Sequence, residues 1–357
     1  MGPGLADGGP CAESLPVLHL HPMRIAIVTD AWHPQINGVV RTLTRVIQEL
    51  EGMGHEVRVV SPDLFLNIPC PTYPEIRLAL FPRRKLRALL DSLQPCAIHV
   101  STEGPLGLAT RAYCKKRGYP FTTAYHTKFP EYVRARAMIP LKLTYALMRR
   151  FHADSAGVMV ATPSIEAELR ARGFGNIRHW SRGVDTELFR PWGKGPKDLY
   201  HLPRPVHLYV GRVAVEKNIE AFLALKLDGS KVVVGDGPLL PELRRRYPDV
   251  TFLGAKEGEE LARCYAAADV FVFPSRTDTF GLVLLEALAS GLPVAAYPVP
   301  GPLDVVDGVG VGFLDEDLAR AARSALTIPP QRCRDYALQY SWRRSAEQFL
   351  ENLKPFR

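Results

Sequence analysis

The stretch DVFVFPSRTDTFGLVLLEALASGLPVAA, residues 269–296, decides the fold. DVFVF reads as a buried strand, PSRTDT as a polar loop, and an apolar helix begins near Phe280 or Gly281 before PVAA starts another strand. Strand, crossover helix and strand form the unit from which parallel sheets are built. Working outward, the same alternation continues on both sides. In the second half it predicts strands at Val206–Val210, Lys231–Val234, Val250–Leu253, Asp269–Phe273 and Pro293–Ala296. In the first half it predicts strands at Arg24–Thr29, Glu56–Ser61, Ala97–Ser101, Phe121–Tyr125 and Gly157–Thr162. Between the two series, PWGKGPKDLYHLPRP at 191–205 has no usable periodicity and reads as a linker. The expected organisation is a leader at 1–22, an N-terminal α/β domain at 23–190, the linker, a C-terminal α/β domain at 206–335, and a helix within 336–357 that packs back on the first domain. Ligands of open α/β sheets bind beyond the carboxyl ends of the strands, so two such domains facing each other make a cleft.

Composition narrows the function. A chain of 357 residues with 46% hydrophobic and 23% charged residues is neither disordered nor a membrane bundle. The net charge of +8 and a pI near 9.2 favour anionic partners: phosphates, acidic lipids or nucleic acid. No nucleic-acid-binding motif accompanies the charge, so nucleic acid is the poorest of the three. Cysteines at 11, 70, 96, 114, 264 and 333 show neither zinc-site spacing nor disulfide density, which fits a reduced, cytosolic compartment. Residues 1–22 lack a basic start and a continuous apolar stretch; they do not read as a secretory signal and are left out of the fold, with Met23 as the expected start. The longest apolar run, Leu282–Tyr297, is interrupted by Glu286, Gly291 and Pro293 and is shorter than the roughly 20 residues a membrane span needs.

The chemistry-bearing residues lie at predicted strand ends. In TDAWHPQINGVVRTL, Asn37 and Gly38 precede a helix whose free backbone donors suit either a plain cap or a phosphate. There is no GxGxxG, which counts against a dinucleotide oxidoreductase. In GRVAVEKN, Arg212 and Lys217 follow a strand; alone they read as a solvated turn, but inside a cleft two fixed cations suit a diphosphate. Asp278 sits in the polar loop, and Glu286 lies eight positions later among Leu284, Leu285, Ala287 and Leu288. A carboxylate is costly to bury there unless it accepts strong hydrogen bonds, which sugar hydroxyls can supply; a solvent-facing Glu is the plain alternative. Backbone donors of Phe280, Gly281 and Leu282 join the cations as candidates for holding a diphosphate. His126, after the fourth strand, fits a structural hydrogen-bonder as well as a catalyst. DED at 315–317 opens a helix and reads as its cap, so no metal site is expected.

GRVAVEKN and PSRTDTFGLVLLEALASGLPV together resemble the donor-binding signature of the retaining glycosyltransferases of family four, and DAWHPQINGVV, YHTKFPEY, RGVDTELF and TDTFG occur in that family's order. The resemblance runs from about Met23 to the C-terminus and is nearest the enzymes that glycosylate diacylglycerol, including sulfoquinovosyl diacylglycerol synthases. It implies a GT-B fold, two Rossmann-like domains facing a central cleft. It also implies that Arg212 and Lys217 bind the donor diphosphate, Asp278 contacts the sugar, Glu286 holds the ribose, His126 lies near sugar and leaving phosphate, and Gly38 approaches the donor on closure. Many relatives carry Glu where Asp278 stands, one methylene longer. Retention follows from the resemblance alone; with no carboxylate nucleophile in view, a same-face displacement without metal or resident cofactor is expected.

For the acceptor, VRARAMIPLKLTYALMRRFH at 133–152 and RRKLRALL at 83–90 interleave cations with apolar side chains. Such segments lie on anionic bilayers, though a helix packing its apolar face on a sheet looks the same. The expectation is transfer of a hexosyl group from a UDP-sugar to a lipid, diacylglycerol, by a protein peripheral on the inner face of the cell membrane. The alternatives are a soluble or oligosaccharide acceptor, as for a GDP-mannose-dependent mannosyltransferase, and a non-catalytic sugar-nucleotide-binding protein.

Overall fold

A computed structural model describes residues 21–35, 37–70, 73–131, 134, 139–192 and 201–356. The leader expectation at 1–20 and most of the 191–205 linker lie outside them. The first sheet contains β1 (Arg24–Val28), β2 (Glu56–Val60), β5 (Ala97–Val100), β6 (Thr122–Ala124), β7 (Gly157–Val160) and β8 (Ile177–His179); β3 (Asn67–Cys70) and β4 (Tyr73–Ala79) form a separate antiparallel hairpin. The second sheet contains β9 (Val206–Val210), β10 (Ser230–Val234), β11 (Thr251–Phe252), β12 (Val270–Phe273), β13 (Val294–Ala296) and β14 (Gly312–Leu314). Spatial orders are 2-1-5-6-7-8 and 11-10-9-12-13-14, parallel throughout. The central strands AIHV, GVMV and VFVF are buried along their whole length, as strands covered by helices on both faces must be.

These orders fix where a ligand goes. Both reverse next to the first strand of the domain, between β1 and β5 and between β9 and β12, and the crevice opens at the carboxyl ends of those pairs. The loops after β9 and β12 carry Arg212 and Asp278.

The chain crosses between domains twice. Val184 and Phe189 already pack in the second domain's core, so the first crossing comes before residue 190. Cys333 and Ala337 still belong to that core, and the return falls after residue 335, near Tyr340. Val184 N donates to Tyr340 O at 3.1 Å, joining the two crossings, and a Cβ on Gly183 would meet Trp342 N at 2.4 Å. The final helix, Trp342–Asn352, buries Ala346, Phe349 and Leu350 in the first domain's core with Leu43, Val46, Leu50 and Trp180. Burial of one such large apolar side chain contributes about 1.5–3 kcal/mol, enough to anchor a short helix.

Candidate functional site

The donor half is built from two loops laced together. Thr277 Oγ1 donates to Glu216 O at 3.1 Å, and Asn218 Nδ2 to Pro274 O at 3.0 Å, so the turn Val215–Lys217 and the PSRTDTFG loop move as one piece. Lys217 Nζ meets Asp278 Oδ1 at 2.5 Å, while Asp278 Oδ2 is sealed from solvent without a partner. Gly235 packs so closely under Gly211 that a Cβ would stand 1.9 Å from the Gly211 carbonyl oxygen, holding the backbone beside Arg212 low. Arg212 is half-buried. Gly281 adopts φ 82°, the left-handed region that suits glycine, and turns the chain into the helix Leu282–Ala289. Phe280 is buried and Leu282 half-buried; Gly38, the first residue of the helix Gly38–Gly52, faces Leu282 across the cleft, with a Cβ position 3.9 Å from Leu282 Cδ1.

Glu286 is 7% exposed, confirming that its helix is apolar all round, but the structure supplies protein donors to it. Arg41 Nη1, one helical turn after Gly38 and in the other domain, reaches Oε1 at 2.9 Å; Tyr265 OH donates to Oε2 at 2.9 Å. A carboxylate has about four lone-pair sites, so two acceptor positions are left. Burial, followed by the Glu286 charge, holds the Tyr265 hydroxyl protonated.

On the N-terminal side, His126 O accepts from Thr279 Oγ1 at 2.7 Å, binding the fourth-strand loop to the donor loop. The His126 ring lies edge-on to Trp180, and its Nδ1 faces Arg182 Nη2 at 3.4 Å. Burial first, then the Arg182 charge, pushes the His126 imidazole well below its usual range, so it is neutral at physiological pH.

Two acids that follow the carboxyl ends of β1 and β5, Asp30 and Glu103, are already engaged. Asp30 caps the helix Pro105–Arg117, accepting from Leu106 N at 3.0 Å and Thr102 Oγ1 at 2.9 Å. Burial outweighs those bonds and raises its carboxyl to about 6. Glu103 Oε1 pairs with His152 Nε2 at 3.2 Å. Asp317 caps its own helix through Ala319 N and Arg320 N, in line with the cap expected of DED. Among the described residues no group of three or more His, Cys, Asp or Glu is placed to hold a metal ion.

Sequence reasoning missed Arg41, Tyr265 and Arg182. Arg182 was within quoted RGVDTELF and Arg41 directly follows DAWHPQINGVV, but nothing local marks a partner 245 positions away.

Two parallel Rossmann-like domains meeting at a cleft lined by paired charges form the GT-B arrangement. The family models for Glycosyltransferase Family 4 and for Glycosyl transferases group 1 match residues 36–188 and 204–328. A GDP-mannose-dependent alpha-mannosyltransferase of Corynebacterium glutamicum is 31% identical over 83% of this chain and 78% of its own. An alpha-monoglucosyldiacylglycerol synthase of Streptococcus pneumoniae is 29% identical over 94% and 85%. In fold, a sucrose-phosphate synthase from Thermosynechococcus elongatus superposes with a TM-score of 0.75 at 24% identity, covering 92% of this chain and 97% of that one. The chain belongs to glycosyltransferase family 4 and is a glycosyltransferase.

Proposed function

We propose that this glycosyltransferase moves a hexosyl group from a nucleoside diphosphate sugar, a UDP-sugar, to a lipid hydroxyl, that of diacylglycerol, at an anionic membrane surface. Arg212, Lys217 and the backbone donors at Phe280, Gly281 and Leu282 hold the diphosphate; Asp278 receives the sugar and Glu286 the ribose; Gly38 and His126 close over them from the first domain. Negative charge that develops on the departing phosphate is met by preorganised cations, which supplies the electrostatic stabilisation with neither metal nor resident cofactor. With no carboxylate nucleophile singled out in the sequence, the acceptor hydroxyl oxygen bonds to the anomeric carbon from the face the phosphate leaves, its proton passing to the departing phosphate oxygen, with retention.

One observation carries the lipid acceptor. The helix Leu141–His152 buries Thr144, Tyr145, Met148 and Phe151 on the sheet, yet its outer face carries Leu143 and Leu147, 55% and 59% exposed, beside exposed Lys142, Arg149 and Arg150. A helix that only packs has no use for a second apolar stripe; on an anionic bilayer the leucines enter the acyl boundary and the cations meet headgroups. In the 83–90 segment Arg83, Arg84 and Lys85 are likewise exposed. Val133 and residues 135–138 of the basic segment lie outside the described residues. No described helix is long and apolar enough to cross a membrane. Attachment to the inner face of the cell membrane therefore rests on this face.

The alpha-monoglucosyldiacylglycerol synthase supports the lipid by its name, whereas the mannosyltransferase favours a GDP-mannose donor. Mass spectrometry of products from UDP-sugars and GDP-mannose, each with diacylglycerol vesicles, separates the two. A glycolipid from a UDP-sugar is the expected result; a product from GDP-mannose alone overturns the donor, and donor binding without any product overturns the activity. Replacing Lys142, Arg149 and Arg150 by Gln weakens binding to anionic vesicles, at about 1 kcal/mol per charge, while donor affinity stays.

A further inference from the structure

Arg182 is a buried cation of an unusual kind. It is 5% exposed, and no ion pair reaches it among the described residues. Its Nη1 donates to Trp180 O at 2.6 Å and Ser181 O at 3.2 Å, the guanidinium lies 4.4 Å over the Trp180 ring, and Nη2 is directed at His126 Nδ1. A guanidinium carries donors and no acceptor, so His126 Nδ1 has to accept. A neutral imidazole that accepts at one nitrogen bears its proton on the other. That nitrogen, His126 Nε2, is sealed from solvent and has no hydrogen-bond partner.

We propose that Arg182 is a positioning residue that fixes His126 as a neutral ring with its proton on Nε2, leaving that N–H to donate to an oxygen of the sugar-phosphate substrate rather than to shuttle a proton. This rests on the donor reading above. The His126 carbonyl is bonded to Thr279, the residue after Asp278, so His126 adjoins the donor loop in which the reading above places the sugar. An unsatisfied buried donor is unfavourable until a ligand meets it, which sharpens preference for the occupied cleft. The charged or titratable groups facing the ring from the packed elements are few. Arg182 follows β8, and His99 of β5 is itself held neutral, its imidazole pushed down to about 3. Asp278, in the donor loop, is neutralised by Lys217.

Proton–nitrogen correlation spectra of the full chain labelled with 15N-histidine read the tautomer directly and need no turnover. The expected wild-type spectrum shows His126 neutral and protonated on Nε2 from about pH 6 to 8, a window around the ordinary histidine value. In Arg182→Met the tautomers mix, the titration moves up toward the ordinary range, and kcat drops roughly tenfold with a smaller change in donor KM. Arg182→Lys, which keeps a donor cation, restores the tautomer and part of kcat. A proton on Nδ1, or a wild-type ring that titrates within that window, overturns the proposal even if Arg182→Met does not fold. So does a folded Arg182→Met with an unchanged tautomer. Failure of glycosyl transfer itself leaves the spectra intact, so it counts only against the donor reading.

Discussion

The two walls of the cleft handle charge in opposite ways. On the C-terminal wall, Lys217 and Asp278 neutralise each other at 2.5 Å within loops of the same domain. On the N-terminal wall, Arg41 reaches out of its domain to Glu286, and Arg182 is buried against backbone and a histidine. The first arrangement is self-contained and is formed before any ligand arrives. On the second wall the Arg41–Glu286 pair is complete only when the domains meet, whereas Arg182 keeps its partners within its own domain; in the proposed reading the C-terminal wall holds the donor and Arg41 ties it to the other domain.

The largest effect that sharpens this contrast is expected from Lys217→Ala, which removes the cation proposed to bind the donor phosphate and strands the Asp278 carboxylate. Transfer measured as kcat/KM should fall on the order of 10²–10³-fold, the loss seen when one preorganised charge-stabilising donor is deleted. A folded variant with near-normal kinetics would break the assignment of the C-terminal wall. Glu286→Ala, tested the same way, should fall in a similar range.

Next comes Asp30→Asn, which asks whether the N-terminal acids serve the helix rather than the substrate. Because burial raises the Asp30 carboxyl from 3.8 to about 6, the folded protein binds this proton more tightly than the unfolded chain. The group's contribution is complete below about pH 4 and is lost as pH rises through 6, about 3 kcal/mol in all. Urea melts of Asp30→Asn should lack that slope relative to the parent, with transfer retained near neutral pH. An unchanged slope contradicts the raised carboxyl.

The smallest expected effect is that of Tyr265→Phe, which removes one hydrogen bond to the Glu286 carboxylate and keeps its ion pair with Arg41. A hydrogen bond to a charged group contributes about 1.5–3 kcal/mol, so donor KM should rise roughly ten- to a hundredfold with kcat little changed. Equal loss in kcat and in kcat/KM would place Tyr265 in the transition state instead.

The sheets were legible because short buried runs rich in β-branched residues recur between longer amphipathic stretches, at a spacing only repeated strand–helix units give. What escaped was short or lateral. IRH and GFL, the edge strands β8 and β14, are three residues each and too brief to show a period. The hairpin of β3 and β4 was not among the predicted strands; it carries Pro69 and Pro74, which an edge hairpin tolerates. At the site, the charged cluster after β9 and β12 was readable since its members lie at strand ends and within conspicuous motifs. Arg41 was not, since its role comes from the distance between domains rather than from its neighbours. Glu286 was singled out as an acid within an apolar helix and is buried there; its protein partners Arg41 and Tyr265, which leave two acceptor positions open, were not legible.

The paired crossings at Val184 and Tyr340 have a mechanical meaning. A single tether would let the halves swivel freely, as beads do on a string. Two strands of backbone fastened together by one amide-to-carbonyl bond act like a door hung on adjacent pins, with a single easy axis of swing. Beyond that fastened pair, the halves are joined at the cleft by Arg41 on Glu286 and Thr279 on His126, so three separate contacts fix one register between them.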